Sequence, residues 1–528
     1  MDKNESKIPL EERSMEEKEL KKLIHTFQEN DPASFEEAIV ATGFGKYNYI
    51  LLFCIIFPSI TQMTETVSIS YVLPVAECDL DLSLEDKGIL NAVTFAGMIV
   101  SGLFWGYMID ALGRKQIIVY GYFATGFLSM TAACSSSKFV LIIAKFVGGL
   151  ILNGPYSAST THITEFHSSK HRANVNMVRG FILSIANILI PVLAWAVLPR
   201  KVEISVLGLF VLRSWNVFLL IAAFCPIISG CLYVFLPESP KFLMTIGKNR
   251  RALLVMQEIY AMNSGNPAKS YPIKRLAEET TQNLASTKDL RLALGNGLSQ
   301  MKTIFHRPHF NNLILVCFNA FSLVMSLNTL KLWLPGIFQS INDYQNSHNG
   351  TSSTMCVMLE EMNKPKVVSS GQTCSVNLDN ISVYINTFIV AFARIAAFMV
   401  AGTLVNWMGN KKLIIFLCLL SSSLMFSIYF ANNSTIVTIL SAAGSAIGSV
   451  PENVLVTITM ELFPTTLRAI ALSIHLMSSR LGTIIGNISF PYLVHLGCLP
   501  PFLYIGIFGF ACGIVSSIYS NTENKPLI

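Results

Sequence analysis

Arg480 stands inside the run IALSIHLMSSRLGTIIGNISF, residues 470–490, with no other Asp, Glu, Lys or Arg beside it. A guanidinium is planar and binds a carboxylate or sulfate through two parallel hydrogen bonds, so the chemistry on offer is recognition. Arg394, Glu65 and Glu452 are set in apolar runs in the same way. Each such charge costs several kcal/mol in hydrocarbon unless it is paired or faces water. Small polar residues accompany them at helical spacing. Thr61, Glu65 and Ser68 share one face, as do Asn319, Ser322, Ser326 and Thr329. Ser445, Ser449 and Glu452 repeat the arrangement, and Ser473, Arg480 and Asn487 recur every seven residues. Two arginines at mid-depth favour an anionic ligand, a preference that Glu65 and Glu452 weaken. Either acid could instead carry a proton. Lys145, Arg179 and Lys331 sit nearer the ends of their runs and are read as snorkelling to the interface.

Bond-making chemistry has no motif here. There is no GxxxxGK[ST] phosphate loop, no GxSxG and no HExxH. The eleven cysteines include no CxxC pair and no zinc spacing with histidine. No catalytic residue, metal or cofactor is therefore expected, and the chain is read as a non-enzyme.

The elements that must hold these side chains are membrane helices. Of 528 residues, 52% are hydrophobic and 13% charged, where soluble domains carry about 25% charged. A bilayer needs about 20 apolar residues per helix, and twelve runs qualify: 49–74, 87–106, 116–134, 139–164, 174–198, 213–236, 310–338, 381–405, 412–430, 435–460, 469–494 and 498–520. The expected organisation is an N-terminal tail (1–48), a six-helix half (49–236), a central loop (237–309), a second half (310–520) with a long loop at 339–380, and a short C-terminal tail (521–528). The first run is too long for a signal peptide and reads as a signal anchor.

Lysine and arginine concentrate in cytoplasmic loops of membrane proteins. With both termini inside, 26 of the 38 fall on the cytoplasmic side, eleven of them in the central loop. The sequons at Asn349, Asn380 and Asn433 then all lie outside and are candidate glycosylation sites. Cys356 and Cys374 share the outer loop and are expected to pair there, with Cys78 and Cys498 as rival partners. The net charge of +6 resides in these loops, so nucleic acid is not an expected partner.

The two halves match at an offset of 296 residues. Gly106-Tyr-Met-Ile-Asp110-Ala-Leu-Gly113-Arg114-Lys115 lands on Gly402-Thr-Leu-Val-Asn406-Trp-Met-Gly409-Asn410-Lys411. The same shift carries Gly148 onto Gly444, Pro155 onto Pro451, Glu165 onto Glu461 and Arg172 onto Arg468. Two halves in the same orientation imply a parallel repeat about an axis normal to the membrane. GYMIDALGRK resembles the G-x-x-x-D-x-x-G-R-K loop of the major facilitator superfamily. PESPKF (237–242) and ELFPTTLR (461–468) resemble elements of its sugar and organic-ion branches. FEEAIVATGFGKYNY, YVLPVAECDL, LEDKGIL and SWNVF are similar to the synaptic vesicle glycoprotein 2 group. This sequence departs from the pattern at Asn406, Asn410 and Lys145, and its outer loop is shorter than the luminal domain of that group.

The resemblance implies an all-α fold of twelve transmembrane helices, monomeric, working by alternating access on a small organic solute. It implies a cytoplasmic latch made by Gly106, Asp110, Gly113, Arg114, Lys115, Glu165, Arg172, Glu461 and Arg468. It also implies that the polar stripes line a central cavity, with Glu65, Asn319, Ser326, Arg394, Glu452 and Arg480 as substrate contacts. Arg480 follows Arg468 by the spacing of an arginine in organic anion transporters. The alternative is a set of buried structural pairs, such as Glu65 with Arg480. The rival function is a non-transporting scaffold or receptor. Coupling to a proton or another ion stays open, as does the choice between plasma membrane and secretory vesicle.

Overall fold

The computed structural model describes residues 32–200, 202–206, 210–278, 304–307, 309–362 and 381–519. Twelve long helices, numbered one to twelve below, cover Lys46–Ala76 (interrupted at Ile55), Leu84–Leu112, Arg114–Ala133, Lys138–Glu165, Ser169–Val197, Ser214–Val234, His309–Ser347, Ile381–Met408, Asn410–Ser427, Ser434–Leu462, Thr465–His495 and Leu499–Ser516. All twelve expected runs are found. Helix two begins earlier because Ser83 and Asp86 form a reciprocal capping box. Helix seven runs nine residues past its expected end, since nothing in QSINDYQNS breaks a helix once it has left the lipid.

Among the described residues nine helices qualify as spans by length and hydropathy alone, or ten with the bent helix two. Helices three and eleven fall short because they carry polar faces. Those faces are buried against neighbours: Thr125 and Ser129 in helix three, His475 and Asn487 in helix eleven.

The packing repeats as the sequence does. Helix two packs on four, three on four and six, and one on five and six. In the second half, eight packs on ten, nine on ten and twelve, and seven on eleven and twelve. Each pair in one half has its counterpart six helices on. The halves meet through two with eleven, five with eight, and one with seven.

The N-terminal segment and central loop form one small layer on what we name the tail face. Ala33 pairs with Leu276 in a parallel bridge. Tyr271 donates to Ala38 O at 2.6 Å, and Asn263 Oδ1 accepts from Tyr47 N–H at 2.9 Å. Phe35, Ile39, Met256 and Ile273 make its core. On the opposite face, strands β1 (Glu203–Val206) and β2 (Phe210–Arg213) form an antiparallel hairpin between helices five and six; this is the hairpin face.

Candidate substrate-binding site

Arg480 reaches across from helix eleven into the first half. It donates to Asn153 Oδ1 at 2.7 Å and to Met98 O at 3.3 Å. Pro155 stands inside helix four two residues on, and the helix runs through it unbroken. Tyr156 follows, close enough to Arg480 and Arg179 to feel both charges, with Arg179 Nη1 donating to its hydroxyl at 3.4 Å. Arg179 lies ten residues into helix five, about 15 Å along it at 1.5 Å per residue. Its bond to Tyr156 of helix four points it into the bundle, so it does not snorkel.

The second half contributes another group. Arg394 of helix eight stands 3.9 Å from Glu452 of helix ten, and Lys331 of helix seven lies in the field of both. Lys331 thus also faces charge partners inside the bundle. Arg480, Arg179, Arg394, Lys331, Tyr156 and Glu452 are all half-buried. Arg394 and Lys331 face one carboxylate, and Arg480 and Arg179 form a second basic group beside Tyr156.

Glu65 belongs elsewhere. Lys145 Nζ lies 3.0 Å from its Oε2, and Ser129 Oγ donates to its Oε1 at 2.5 Å. Both charged side chains are at most 4% exposed, so the pair ties helices one, three and four together inside the first half. The alternative pairing of Glu65 with Arg480 does not form, and Lys145 does not snorkel.

Asn319 and Ser326 also turn away from the boundary between halves. Asn319 donates to Ser516 Oγ at 3.0 Å and to the Tyr519 hydroxyl at 2.7 Å. Ser326 donates to Ile505 O at 2.9 Å. Their stripe is real but faces helix twelve, where small polar residues allow close approach and bond across helices. Ser445 and Ser449 bond to carbonyls of their own helix. Asn487 does the same, to Thr483 O at 2.8 Å.

Of the residues grouped as a latch, Asp110, Gly113, Arg114, Lys115 and Glu165 form a clamp within the first half. Arg114 donates to Asp110 at 2.9 Å, to Glu165 at 3.2 Å and to Ile109 O at 3.3 Å, and its guanidinium stacks 5.1 Å from the Phe242 ring. Glu238, which the sequence reading passed over inside PESPKF, accepts the backbone N–H of Arg114 and of Lys115, each at 3.1 Å. A carboxylate there satisfies the open N–H groups of helix three and opposes its dipole. Gly113 has φ +96°, and a Cβ would sit 2.5 Å from Glu238 Oε2, so glycine is required. Gly106, by contrast, has nothing within 4 Å of where a Cβ would be, so close packing does not explain it. Arg172 does not join this network; it pairs with Glu36 of the N-terminal segment at 2.7 Å. In the second half Asn410 donates to Glu461 at 3.3 Å, the counterpart of Arg114 with Glu165. Arg468 lies in the first turn of helix eleven.

Cys356 pairs with Cys498, Cα atoms 5.1 Å apart, which corrects the expected pairing with Cys374. The bond ties the short helix Met355–Glu360 to the start of helix twelve. Cys374 and Asn380 lie outside the described residues. Asn349 is exposed in a left-handed turn. Asn433 caps helix ten through Ile436 N–H at 2.8 Å. No group of three or more metal-ligating side chains occurs among the described residues.

Known proteins resemble this chain over most of its length. The family model for the Major Facilitator Superfamily matches residues 51–360 and 373–527. The chain is similar to synaptic vesicle glycoprotein 2B of Rattus norvegicus, 22% identical over 58% of this chain and 48% of that protein. It thus spans about half the length of that relative. It is similar to the putative transporter svop-1 of Caenorhabditis elegans, 23% identical over 93% of this chain and 85% of that one. In fold it is similar to a D-xylose-proton symporter (TM-score 0.62, 15% identity, 91% of this chain and 100% of that one). It is also similar to the inward open xylose transporter XylE from E. coli (TM-score 0.61, 14% identity, 90% and 96%). The chain is a multi-pass membrane protein with a transporter fold, similar to the synaptic vesicle glycoprotein 2 group, and it belongs to the Major Facilitator Superfamily.

Proposed function

We propose that the chain is a secondary transporter that carries a small organic anion by alternating access, the two halves rocking about a site at mid-depth. The observation that supports this reading is two basic groups within the bundle, Arg480 with Arg179 and Arg394 with Lys331, against the single carboxylate of Glu452. Unpaired charge at that depth needs a counter-ion or water, and a carboxylate or sulfate supplies the first. Arg480, of the second half, binds groups of the first, so a solute engaging it competes with contacts that cross the boundary.

Glu452 is the better carrier of a coupling proton than Glu65, because its side chain is 40% exposed and neighbours Arg394. Protonating it removes the acid that competes with substrate for that guanidinium, so proton and anion would bind cooperatively. We take the tail face, with its basic central loop, as cytoplasmic. The test is uptake into proteoliposomes against a panel of organic anions and cations. Anions should be carried or compete, and cations should do neither. Transport of cations alone would overturn the reading, and uptake of neither class would favour a scaffold.

A further inference from the structure

On the hairpin face the two halves meet along helices two and eleven. Glu85 stands in the first turn of helix two, and His495 is the last residue of helix eleven. His495 Nε2 donates to Glu85 Oε1 at 2.9 Å across the boundary. The helices behind this contact are tightly packed. One turn further into helix two, a Cβ on Gly88 would lie 2.8 Å from Asn487 O and 2.9 Å from Pro491 Cγ, so there is no room for a side chain. Leu332 and Tyr384 of the second half join the first-half core around Tyr71 and Val72. This face is closed across the boundary, with Glu85 and His495 at its rim.

A neutral imidazole gives Glu85 one hydrogen bond, and a protonated one adds an ion pair. Both helix dipoles favour the charged form: the carboxylate sits at the positive end of helix two and the cation at the negative end of helix eleven. The His495 side chain is 45% exposed and that of Glu85 37%, so solvent protons reach the ring directly. The other charged groups at this end have partners within their own half. Asp86 pairs with Lys138 at 2.7 Å, Lys87 with Glu77 at 2.8 Å, and Asp79 with Arg213. Asp343 of helix seven accepts from Gln339 at 2.8 Å. Asp81 lies in the turn before helix two, and Glu360 and Glu361 end the short outer helix. Helix twelve holds no charged residue, and helix ten holds none before Glu452. His348 stacks 4.1 Å from Tyr344 and bonds within its own turn. Among all these side chains, histidine is the type that ordinarily changes charge between about pH 5 and 8, and His495 is the histidine that spans the boundary.

We propose that Glu85 and His495 form a pH-sensitive clasp. Acid on the hairpin face charges His495 and holds the halves together there; neutral solution loosens them. The clasp rests on the rocking of the halves in the reading above, and not on what solute is carried. Linkage fixes the sign. A proton that binds better when the face is closed favours the closed face by the same factor. Its contribution is therefore full below the range where the ring titrates and fades as pH rises through it.

The test is hydrogen–deuterium exchange of the full chain in lipid nanodiscs, without solute, read on peptides covering 84–95 and 487–497 and corrected for the intrinsic effect of pH. Between about pH 7.5 and about pH 5.5 both helix ends should become protected roughly two- to fourfold, the scale of a partly exposed ion pair. His495→Gln and Glu85→Gln should each abolish that change, and the double variant should add nothing to either. His348→Gln should leave it intact. A wild type without a pH response would overturn the clasp. So would a response that survives His495→Gln, or one that disappears with His348→Gln. Exchange reads the face itself. Failed uptake beside a pH-dependent face would strike the transported solute and spare the clasp, whereas a flat face beside normal uptake would strike the clasp alone.

Discussion

Arg480 donates to Asn153 across the boundary between the two halves at 2.7 Å. Neither partner is an acid, so removing the guanidinium strands no buried carboxylate. Arg480→Ala should therefore fold and reach the membrane, yet lose uptake. Arg480→Lys should keep the charge, lose the planar fork and raise the apparent KM. Expression and uptake measured together check both. If Arg480→Ala is degraded and Glu65→Gln restores it, Arg480 is a structural ion-pair partner and the binding role fails.

Glu65 and Lys145 give the contrasting case. Removing one partner of a buried pair leaves an uncompensated charge, at a cost of about 3–5 kcal/mol. Glu65→Gln or Lys145→Met alone should sharply reduce the yield of monodisperse protein. The double change to Glu65→Leu and Lys145→Met replaces the pair with apolar volume and should recover most of it. Size-exclusion profiles of the three variants decide the point; single variants as stable as the wild type would show that the pair contributes little.

How much of this was legible beforehand depends on what kind of signal each residue leaves in the sequence. Twelve spans, the repeat and the depth of Arg480 follow from apolar run length and a fixed offset, and all appear in the fold. The direction of a polar stripe does not follow from spacing. Asn319 and Ser326 share a face by period, but which neighbour that face meets is set by how helix seven packs on helix twelve. Arg179 stands five residues into the expected run 174–198 and so read as snorkelling; its bond to Tyr156, which turns it inward, leaves no mark in the sequence. Glu238 was hidden because its role, capping helix three, joins residues 124 positions apart. Cys356 could not choose between Cys374 and Cys498 without coordinates.

The proposed coupling through Glu452 and Arg394 predicts pH-dependent transport. If protonation of Glu452 frees Arg394 for an anion, anion binding in turn favours the protonated acid. Initial uptake should rise as pH falls on the side of substrate entry. Glu452→Gln, permanently neutral, should flatten the profile while retaining exchange of substrate. A profile that stays as steep in Glu452→Gln places the coupling group elsewhere.

The N-terminal segment should be held by an acid-sensitive contact. Burial alone would raise the Glu36 carboxyl, but hydrogen bonds from Ser169 N–H and from Arg172 outweigh it and hold the group below its ordinary value of 4.5. A depressed carboxyl stabilises the docked form fully above that ordinary value, and the contribution is lost as pH falls through the lower folded one. The contact is largely exposed, so salt screens it. Limited proteolysis near Phe35 should accelerate at acid pH or in high salt, and Glu36→Gln should show the faster rate already at neutral pH. Equal rates for both proteins at neutral pH would mean that the apolar core around Phe35 and Met256 holds the segment alone.

Topology separates two sequons that look alike in sequence. Asn349 lies in an exposed left-handed turn beyond the end of helix seven, free to meet a glycosylating enzyme if the hairpin face is lumenal. Asn433 spends its side-chain oxygen on the first turn of helix ten and is half-buried beside that helix. A glycan on its nitrogen would have to leave the membrane surface at the cap itself. In a secretory host, glycosidase treatment should shift the mobility of the wild type and of Asn433→Gln alike. Asn349→Gln should shrink the shift, and adding Asn380→Gln should remove whatever remains. A shift that survives the Asn349/Asn380 double variant would move the glycan to Asn433 and show that capping through its oxygen does not shield its nitrogen. An unmodified wild type would instead reverse the proposed orientation, placing the hairpin face in the cytoplasm.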